Sequence, residues 1–229
     1  MIGEMDGLGK WLMARRGKFT ASENYKLLVG GSGGNIFGTG AMTYIKEKAL
    51  EMCTDIYERP ELEEVKSLLH GKVYEYPAYV AYINATKNYF MKYLGTENPI
   101  FLEDDTIPGE SGGSPDVIGM NTDTKIDAIA EIKCPKNPMY HFDRLLWKDQ
   151  WDIKEGYMQC YCQMQNLLKI SRADICQFIS FDDRMRDKEK KIKIIDVYPD
   201  IKFQDNLDLR IRMAIKEKYK IYDKHMNAA

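Results

Sequence analysis

The eight residues from Ile126 to Lys133, Ile-Asp-Ala-Ile-Ala-Glu-Ile-Lys, constrain this chain more than any other stretch. They are short, apolar and β-branched, and Gly, Pro, Asn and Asp bound them and their neighbours, so the segment reads as a strand. Successive strand side chains point to opposite faces, so Glu131 and Lys133 project together while Ile132 packs into a core. Asp116 to Met120 reads as a second strand, joined to the first by an Asn121-Thr122-Asp123 turn. Paired as a hairpin, the two strands bring Asp116 to the same end as Glu131 and Lys133. Two carboxylates and one ammonium then converge. A solvated surface strand carries the same Glu-x-Lys triplet, because both residues are common there; Pro115-Asp116 at the start of the preceding strand weighs against that ordinary reading.

Helical spacing runs over 41–52 and again from Pro60, a favoured first-turn residue, to about Tyr89. In the second segment Leu62, Val65, Leu68 and Leu69 form one apolar stripe, and Gly71 is expected to bend or interrupt it. Thr20-Ala21-Ser22-Glu23 reads as a capping box opening a short helix to about Val29. Ile100-Phe101-Leu102 is a further strand. Helices are expected over 138–148 and 153–169, strands over 173–181 and 191–198, and a closing helix from Phe203 to about Lys224. This order gives an α/β (α+β) fold in a single domain spanning 1–229: a central mixed β-sheet flanked by helices, without repeat or linker. A compact fold of 229 residues buries about 70% of its unfolded-chain surface, enough for a sizeable core.

With 33 Lys and Arg against 35 Asp and Glu, the net charge of −2 limits non-specific adhesion to nucleic acid. No run of 18 apolar residues occurs, and acidic residues stand where a signal peptide has its apolar region, so neither export nor membrane spanning is expected. Five cysteines, an odd number inside apolar periodic segments, fit reduced thiols and a cytoplasmic location. Cys160, Cys162 and Cys176 do not read as iron–sulfur ligands: the first two stand two apart on a helix and face different ways, and the third falls on a strand. No iron–sulfur cluster is expected.

The Asp116, Glu131 and Lys133 constellation suits phosphodiester hydrolysis. Hard oxygen ligands hold Mg²⁺, which keeps several waters and bridges to phosphate oxygens, and a lysine beside it positions or deprotonates the attacking water and stabilises developing charge.

At these residues the sequence resembles the PD…(D/E)xK nucleases, and the flanking segments resemble the phage lambda exonuclease type, the YqaJ-like viral recombinases. Arg15-Arg16-Gly17-Lys18-Phe19-Thr20-Ala21-Ser22-Glu23 is similar to the family's R-x-G-x-x-T-A-S-E segment, and Gly71 to Glu75 to its G-x-x-x-E helix. Ser114-Pro115-Asp116 is similar to its metal-site turn, Glu131-Ile132-Lys133-Cys134-Pro135 to its E-x-K-C-P strand, Gln163-Met164-Gln165 to its Q-x-Q helix, and Phe181 to Met185 to its later strand end. The resemblance runs from about Trp11 to Met185 in the family's order.

That resemblance implies a restriction-endonuclease-like core and a Mg²⁺-dependent 5′-to-3′ exonuclease on linear double-stranded DNA. It releases 5′-mononucleotides and leaves a 3′ single strand for recombination. Asp116 and Glu131, with the Ile132 carbonyl, would ligate Mg²⁺, two ions in all, with Mn²⁺ able to substitute. Lys133 would be the catalytic lysine, Glu75 an acid on a second metal or its waters, and Gln163 a polar group beside the water or Lys133. Arg15, Ser22 and Thr20 would hold the 5′-phosphate, an assignment that a helix N-terminus at Thr20 supports on its own grounds. The resemblance also implies a homotrimeric ring threaded by DNA ends and a phage single-strand annealing protein as partner, in a host bacterial cytoplasm. Two other functions stay open: an endonuclease of the same fold in restriction or repair, and a non-enzymatic DNA-end-binding recombination module.

Some features depart from the family. Gly30 to Gly40, with six glycines in eleven residues, lacks the Lys or Arg of some relatives and the Gly-Lys-Ser/Thr of a P-loop, and reads as a mobile surface connection. The family tyrosine three residues before Gln163 is Cys160 here, with Tyr157 one helical turn earlier. Lys188, Lys190, Lys191 and Lys193 read as a charged edge strand. His70, His141 and His225 have no ligand or triad spacing.

Overall fold

A computed structural model describes residues 7–54, 66–95, 99–120 and 125–228. In chain order its elements are α1 (Gly7–Arg15), β1 (Phe19–Thr20), a 3-10 helix (Asn24–Leu28), α2 (Thr39–Cys53), α3 (Lys66–Thr86), β2 (Met91–Tyr93), β3 (Leu102–Glu103), β4 (Ser111–Gly113), β5 (Val117–Gly119) and β6 (Ala128–Lys133). There follow α4 (Pro138–Arg144), α5 (Gln150–Gly156), α6 (Met158–Ser171), β7 (Ile175–Phe181), a 3-10 turn (Lys188–Lys190), β8 (Ile192–Val197) and α7 (Ile201–Met226).

The main sheet has the order β2-β5-β6-β7-β8, antiparallel except for the parallel pair β6 and β7. A parallel neighbour needs a crossover. Helices α4 to α6 form it and lay α6 on one face of the sheet, where Ile129 and Phe178 pack with Cys160, Tyr161, Met164 and Leu167. The opposite face, carrying Ala128, Ala130, Ile132 and Ile179, is covered by Ala78 and Tyr82 of α3. Both faces of β6 are therefore buried, which is why the strand reads as an almost continuous apolar run. A smaller sheet, β1-β4-β3, stands beside a second core in which Phe19, Leu27, Tyr44 and Ile45 meet Leu207, Ile211 and Ala214 of α7.

The hairpin of β5 on β6 forms in the expected register, with Val117 opposite Ala130; its turn residues 121–124 lie outside the described residues. Strand β8 is an edge as expected, but of the four lysines only Lys193 lies on it; Lys188 and Lys190 form the preceding 3-10 turn and Lys191 follows that turn. Cys160 and Cys162 point into different cores, Cys160 sharing one with Cys176.

Two local expectations fail, and a third is filled out. Thr20 does not open a helix: it pairs with Gly112 as the last residue of β1, and its N–H donates to the Tyr44 hydroxyl at 2.9 Å. The fully buried Phe19 draws this segment into the sheet, and the 3-10 helix begins only at Asn24, after Glu23, whose side chain makes no cap. Gly71 does not interrupt α3, which runs on through it and through Pro77; Pro60, Leu62, Val65 and the Leu68 side chain lie outside the described residues. The segment 30–38 is the surface connection expected, mostly exposed, and it is closed by backbone bonds and one buried ring. Gly31 N–H donates to the Asn35 carbonyl at 3.0 Å, Gly38 N–H to the Val29 carbonyl at 3.0 Å, and Phe37 plugs the second core.

Strands β1, β2 and β4 leave no sequence signal at two or three residues each. The Ser-Gly-Gly of β4 has no β-propensity, yet a Cβ on Gly113 would stand 2.7 Å from Ala21 Cβ and from Leu167 Cδ2, so the close approach of these elements requires glycine there.

Candidate active site

Strand alternation puts Glu131 on the α6 face of the sheet, next to Ile129, with only 1% of its surface exposed. A solvated surface strand is thereby excluded. Its Oε1 accepts from Lys133 Nζ at 2.5 Å and from Gln163 Nε2 at 2.5 Å, while Lys133 Nζ also reaches Gln163 Oε1 at 3.3 Å. Glu131, Lys133 and Gln163 thus close a triangle between β6 and α6. Gln165, two residues on and hence on another side of the helix, instead bonds the Tyr198 carbonyl, the Asp200 N–H and Gln204. The Q-x-Q pair has one member in the site and one that ties α6 to α7.

Asp116 stands just before β5, and its Oδ2 accepts from the Ile132 N–H at 2.7 Å. The N–H and C=O of one strand residue point to the same side, so the Ile132 carbonyl also faces Asp116. Glu75 comes from α3; its Oε1 accepts from the Tyr93 hydroxyl at 2.9 Å. The three carboxylates sense one another. Burial first and Asp116 second push Glu75 up to about 7. Burial and then Asp116 push Glu131 up to about 8, and burial raises Asp116. For Lys133 burial works downward, but Glu131 and Asp116 more than restore it and hold the ammonium well above its ordinary range. Lys133 is therefore a proton-bearing donor here, suited to orienting water and stabilising negative charge rather than to accepting a proton.

The donor set fits a hard divalent cation. Oε2 of Glu131 is buried without a hydrogen-bond partner, and the acids outnumber the one ammonium among them. Among the described residues no three His, Cys, Asp or Glu side chains form a complete cage. A Mg²⁺ site needs only one or two carboxylates and keeps its waters.

This cluster lines a cleft of about 1370 Å³ that also takes in Trp11, Arg15, Thr20, Ser22, Lys72, Arg144, Trp147 and Tyr157. A cavity beyond the usual ~300–1,000 Å³ of a small-molecule pocket suits a larger substrate. Of the residues singled out from sequence, Asp116, Ile132, Lys133, Glu75, Gln163, Arg15, Ser22 and Thr20 line this one cleft, while Glu131 lies buried behind Lys133 and Gln163, and the glycine-rich segment is not part of the lining. Arg15 lies over the Trp11 ring at 4.1 Å, and Trp11 Nε1 donates to Ser114 Oγ at 2.7 Å, joining α1 to the loop before Asp116. The helix N-terminus imagined at Thr20 is absent, so no helix dipole supports an anion there. What replaces it is the Thr20 hydroxyl, buried, unbonded and on the cleft lining. Tyr157, at the start of α6, takes a cleft position where Cys160 points into the core. Sequence reading missed Arg144 and Trp147, which sit among ordinary amphipathic residues and carry no motif.

A sequence model of the YqaJ-like viral recombinase domain matches residues 10–174. The chain belongs to that family. No curated protein matches it in sequence. Among solved structures, the alkaline exonuclease LHK-Exo of Laribacter hongkongensis aligns at 20% identity with a TM-score of 0.74, covering 95% of each chain. The same exonuclease in complex with dAMP aligns at 22% identity and a TM-score of 0.69 over 96% of this chain and 97% of that one. A phage-related exonuclease of Haemophilus somnus 129PT aligns at 14% identity and a TM-score of 0.58, over 93% and 98%. These likenesses show that the chain shares the fold of these exonucleases. In this YqaJ-like chain Asp116 stands just before β5 and Glu131 and Lys133 near the end of β6, with Asp116 and Lys133 on the cleft lining.

Proposed function

We propose that this YqaJ-like protein is a Mg²⁺-dependent 5′-to-3′ exonuclease acting on linear double-stranded DNA. The observation that carries the proposal is the triangle of Glu131, Lys133 and Gln163 beside Asp116: Glu131 Oε2 is left buried and unbonded just behind a large cleft that Asp116, Lys133 and Gln163 line. Asp116, Glu131 and the Ile132 carbonyl would hold one Mg²⁺ and Glu75 a second or its waters. A divalent metal held there would supply a water nucleophile at neutral pH and Lewis-acid stabilisation of the developing charge. Mn²⁺ would serve in its place.

The chain's own groups do the rest. Lys133, held protonated, donates to the water or to the phosphoryl oxygens as charge grows on them. Gln163 fixes Lys133 and Glu131 relative to each other. Arg15, Thr20 and Ser22, in the same cleft, would receive the 5′-terminal phosphate, Arg15 by a bidentate contact. A phosphate anchored at the strand's 5′ end sets the 5′-to-3′ direction and makes 5′-mononucleotides the product. That LHK-Exo is known with dAMP bound is in keeping with such a product.

In this proposal 1–229 acts as one exonuclease domain, a homotrimeric ring threads the duplex, and a phage single-strand annealing protein takes up the 3′ strand in the bacterial cytoplasm. No described helix is long and apolar enough to cross a membrane.

One assay tests the activity: linear duplex with 5′-phosphate, linear duplex with 5′-hydroxyl and covalently closed circles, each with and without Mg²⁺. Mononucleotides from linear duplex only, fastest with the 5′-phosphate, are expected. Cutting of closed circles would identify an endonuclease, and no Mg²⁺-dependent release a non-enzymatic DNA-end module.

A further inference from the structure

Arg144 is the last residue of α4, lines the cleft, and is only 7% exposed. Its guanidinium carbon lies 4.8 Å from the centre of the Tyr157 ring and 5.7 Å from those of Trp147 and Phe178. One N–H donates to Ser180 Oγ at 3.4 Å, and the Tyr157 hydroxyl is its other hydrogen-bonding neighbour. Every one of these partners is neutral. Among the described residues no carboxylate pairs with Arg144, so it is a buried cation without a counter-ion. Burying such a charge is costly, and a guanidinium does not escape the cost by losing its proton.

The side chain is nevertheless held in place. His141 Nε2 faces the Lys190 carbonyl at 2.8 Å and so carries the ring proton. Nδ1 is then an acceptor for the Ser180 hydroxyl at 2.9 Å, which turns the Ser180 lone pairs toward Arg144. Burial keeps His141 neutral, in agreement with that tautomer. A charge conserved in orientation by a hydrogen-bond chain and aromatic walls, but without its own anion, is built to meet an anion from outside.

We propose that Arg144 is a phosphate clamp for the DNA backbone within the cleft, distinct from the terminal-phosphate contacts of Arg15, Thr20 and Ser22. The clamp rests on the assignment of the cleft to DNA made above and adds a second phosphate to it. The guanidinium fork meets two phosphate oxygens in its own plane, and the rings around it exclude the water that would screen the contact.

The test uses the full chain as Arg144→Met and Arg144→Lys, with linear duplex affinity measured in EDTA, where no strand is cut, over a range of KCl concentrations. The methionine variant is expected to bind about tenfold more weakly at moderate salt, with the slope of log K against log [KCl] shallower by about 0.9, the value of one lost phosphate contact. Its melting temperature should stay level or rise, because an unpaired buried charge has gone. The lysine variant should keep the slope but bind at least about threefold more weakly, lacking the fork. Wild-type affinity and slope in the methionine variant would overturn the clamp, as would a lowered melting temperature with DNA binding unchanged. Should the methionine variant fail to fold, the lysine variant decides, and wild-type affinity in it counts against the clamp. Wild-type hydrolysis of the linear duplex is followed in parallel. Its absence would refute the exonuclease assignment, while DNA affinity judges the clamp separately.

Discussion

Glu75→Gln should make the metal-free protein more stable while damaging its activity. Glu75 is half-buried on α3, with Asp116 near enough to repel it, and its Oε1 accepts from the Tyr93 hydroxyl. Glutamine keeps that acceptor and removes the charge. The carboxyl is raised from an ordinary 4.5 to about 7, so the folded state holds the proton more tightly than the unfolded chain. The sign follows: the group's stabilising effect is complete below about pH 4.5, and it is lost as pH rises toward 7. At ~1.4 kcal/mol per pH unit, ionised Glu75 costs the fold about 3 kcal/mol at pH 8.5. For a chain of this size ~2–4 °C accompanies each kcal/mol, so Glu75→Gln should melt about 6–12 °C higher in EDTA at pH 8.5 and level with wild type at pH 4. Calorimetry at several pH values reads this directly. Mg²⁺ should narrow the gap, because the ion assigned to Asp116 and Glu131 binds both proteins while the one that Glu75 holds stabilises the wild type further, by about 2.7 kcal/mol at a hundredfold excess over its Kd. An equal or lower melting point for Glu75→Gln at pH 8.5, or a difference independent of pH, would refute the account of a carboxylate destabilised by burial and by Asp116.

Lys133→Met should reduce kcat by about 10²–10³-fold while leaving duplex affinity within about threefold, the cost of removing one preorganised donor; single-turnover hydrolysis and filter binding separate the two. Thr20→Val should hold or raise the melting temperature, because the Thr20 hydroxyl is buried without a partner. The same variant should lose part of the preference for 5′-phosphorylated over 5′-hydroxyl ends, and a fall of several degrees in melting would show that the hydroxyl is bonded after all. Lys218 is 2% exposed, donating to the Gly17 carbonyl at 2.9 Å and to Glu110 at 2.5 Å. Lys218→Ala should cost about 3 kcal/mol in urea unfolding, since one partner of a buried pair is removed.

Much of the site was legible along the chain because strand geometry is local. A period of two puts Glu131 and Lys133 together whatever else the chain does, and a Pro-Asp before a paired strand delivers Asp116 to the same end. Long elements were equally legible: α2, α7, β6, β7 and β8 appear within a few residues of their expected limits, while the helix expected over 153–169 is split at Tyr157 into α5 and α6. Short ones were not. The Thr20 segment has the letters of a capping box, yet burial of Phe19 and pairing with β4 outweigh about 1 kcal/mol of capping. The closed loop at 30–38 owes its shape to Phe37, a contact with a helix more than 160 residues away in sequence.

By itself, then, the sequence determined the periodic elements and the identity of the acids and the lysine that share an edge, since both depend on spacing alone. Only the tertiary structure decided which groups face them and at what charge. Burial between α3 and α6 turns three ordinary carboxylates into a cluster that holds protons and leaves Glu131 Oε2 unbonded. Burial also strands Arg144 among aromatic rings without a counter-ion. The physical reason is desolvation: the charged form of a side chain costs little on an isolated strand or helix in water, and becomes the dominant energy once neighbouring elements close over it.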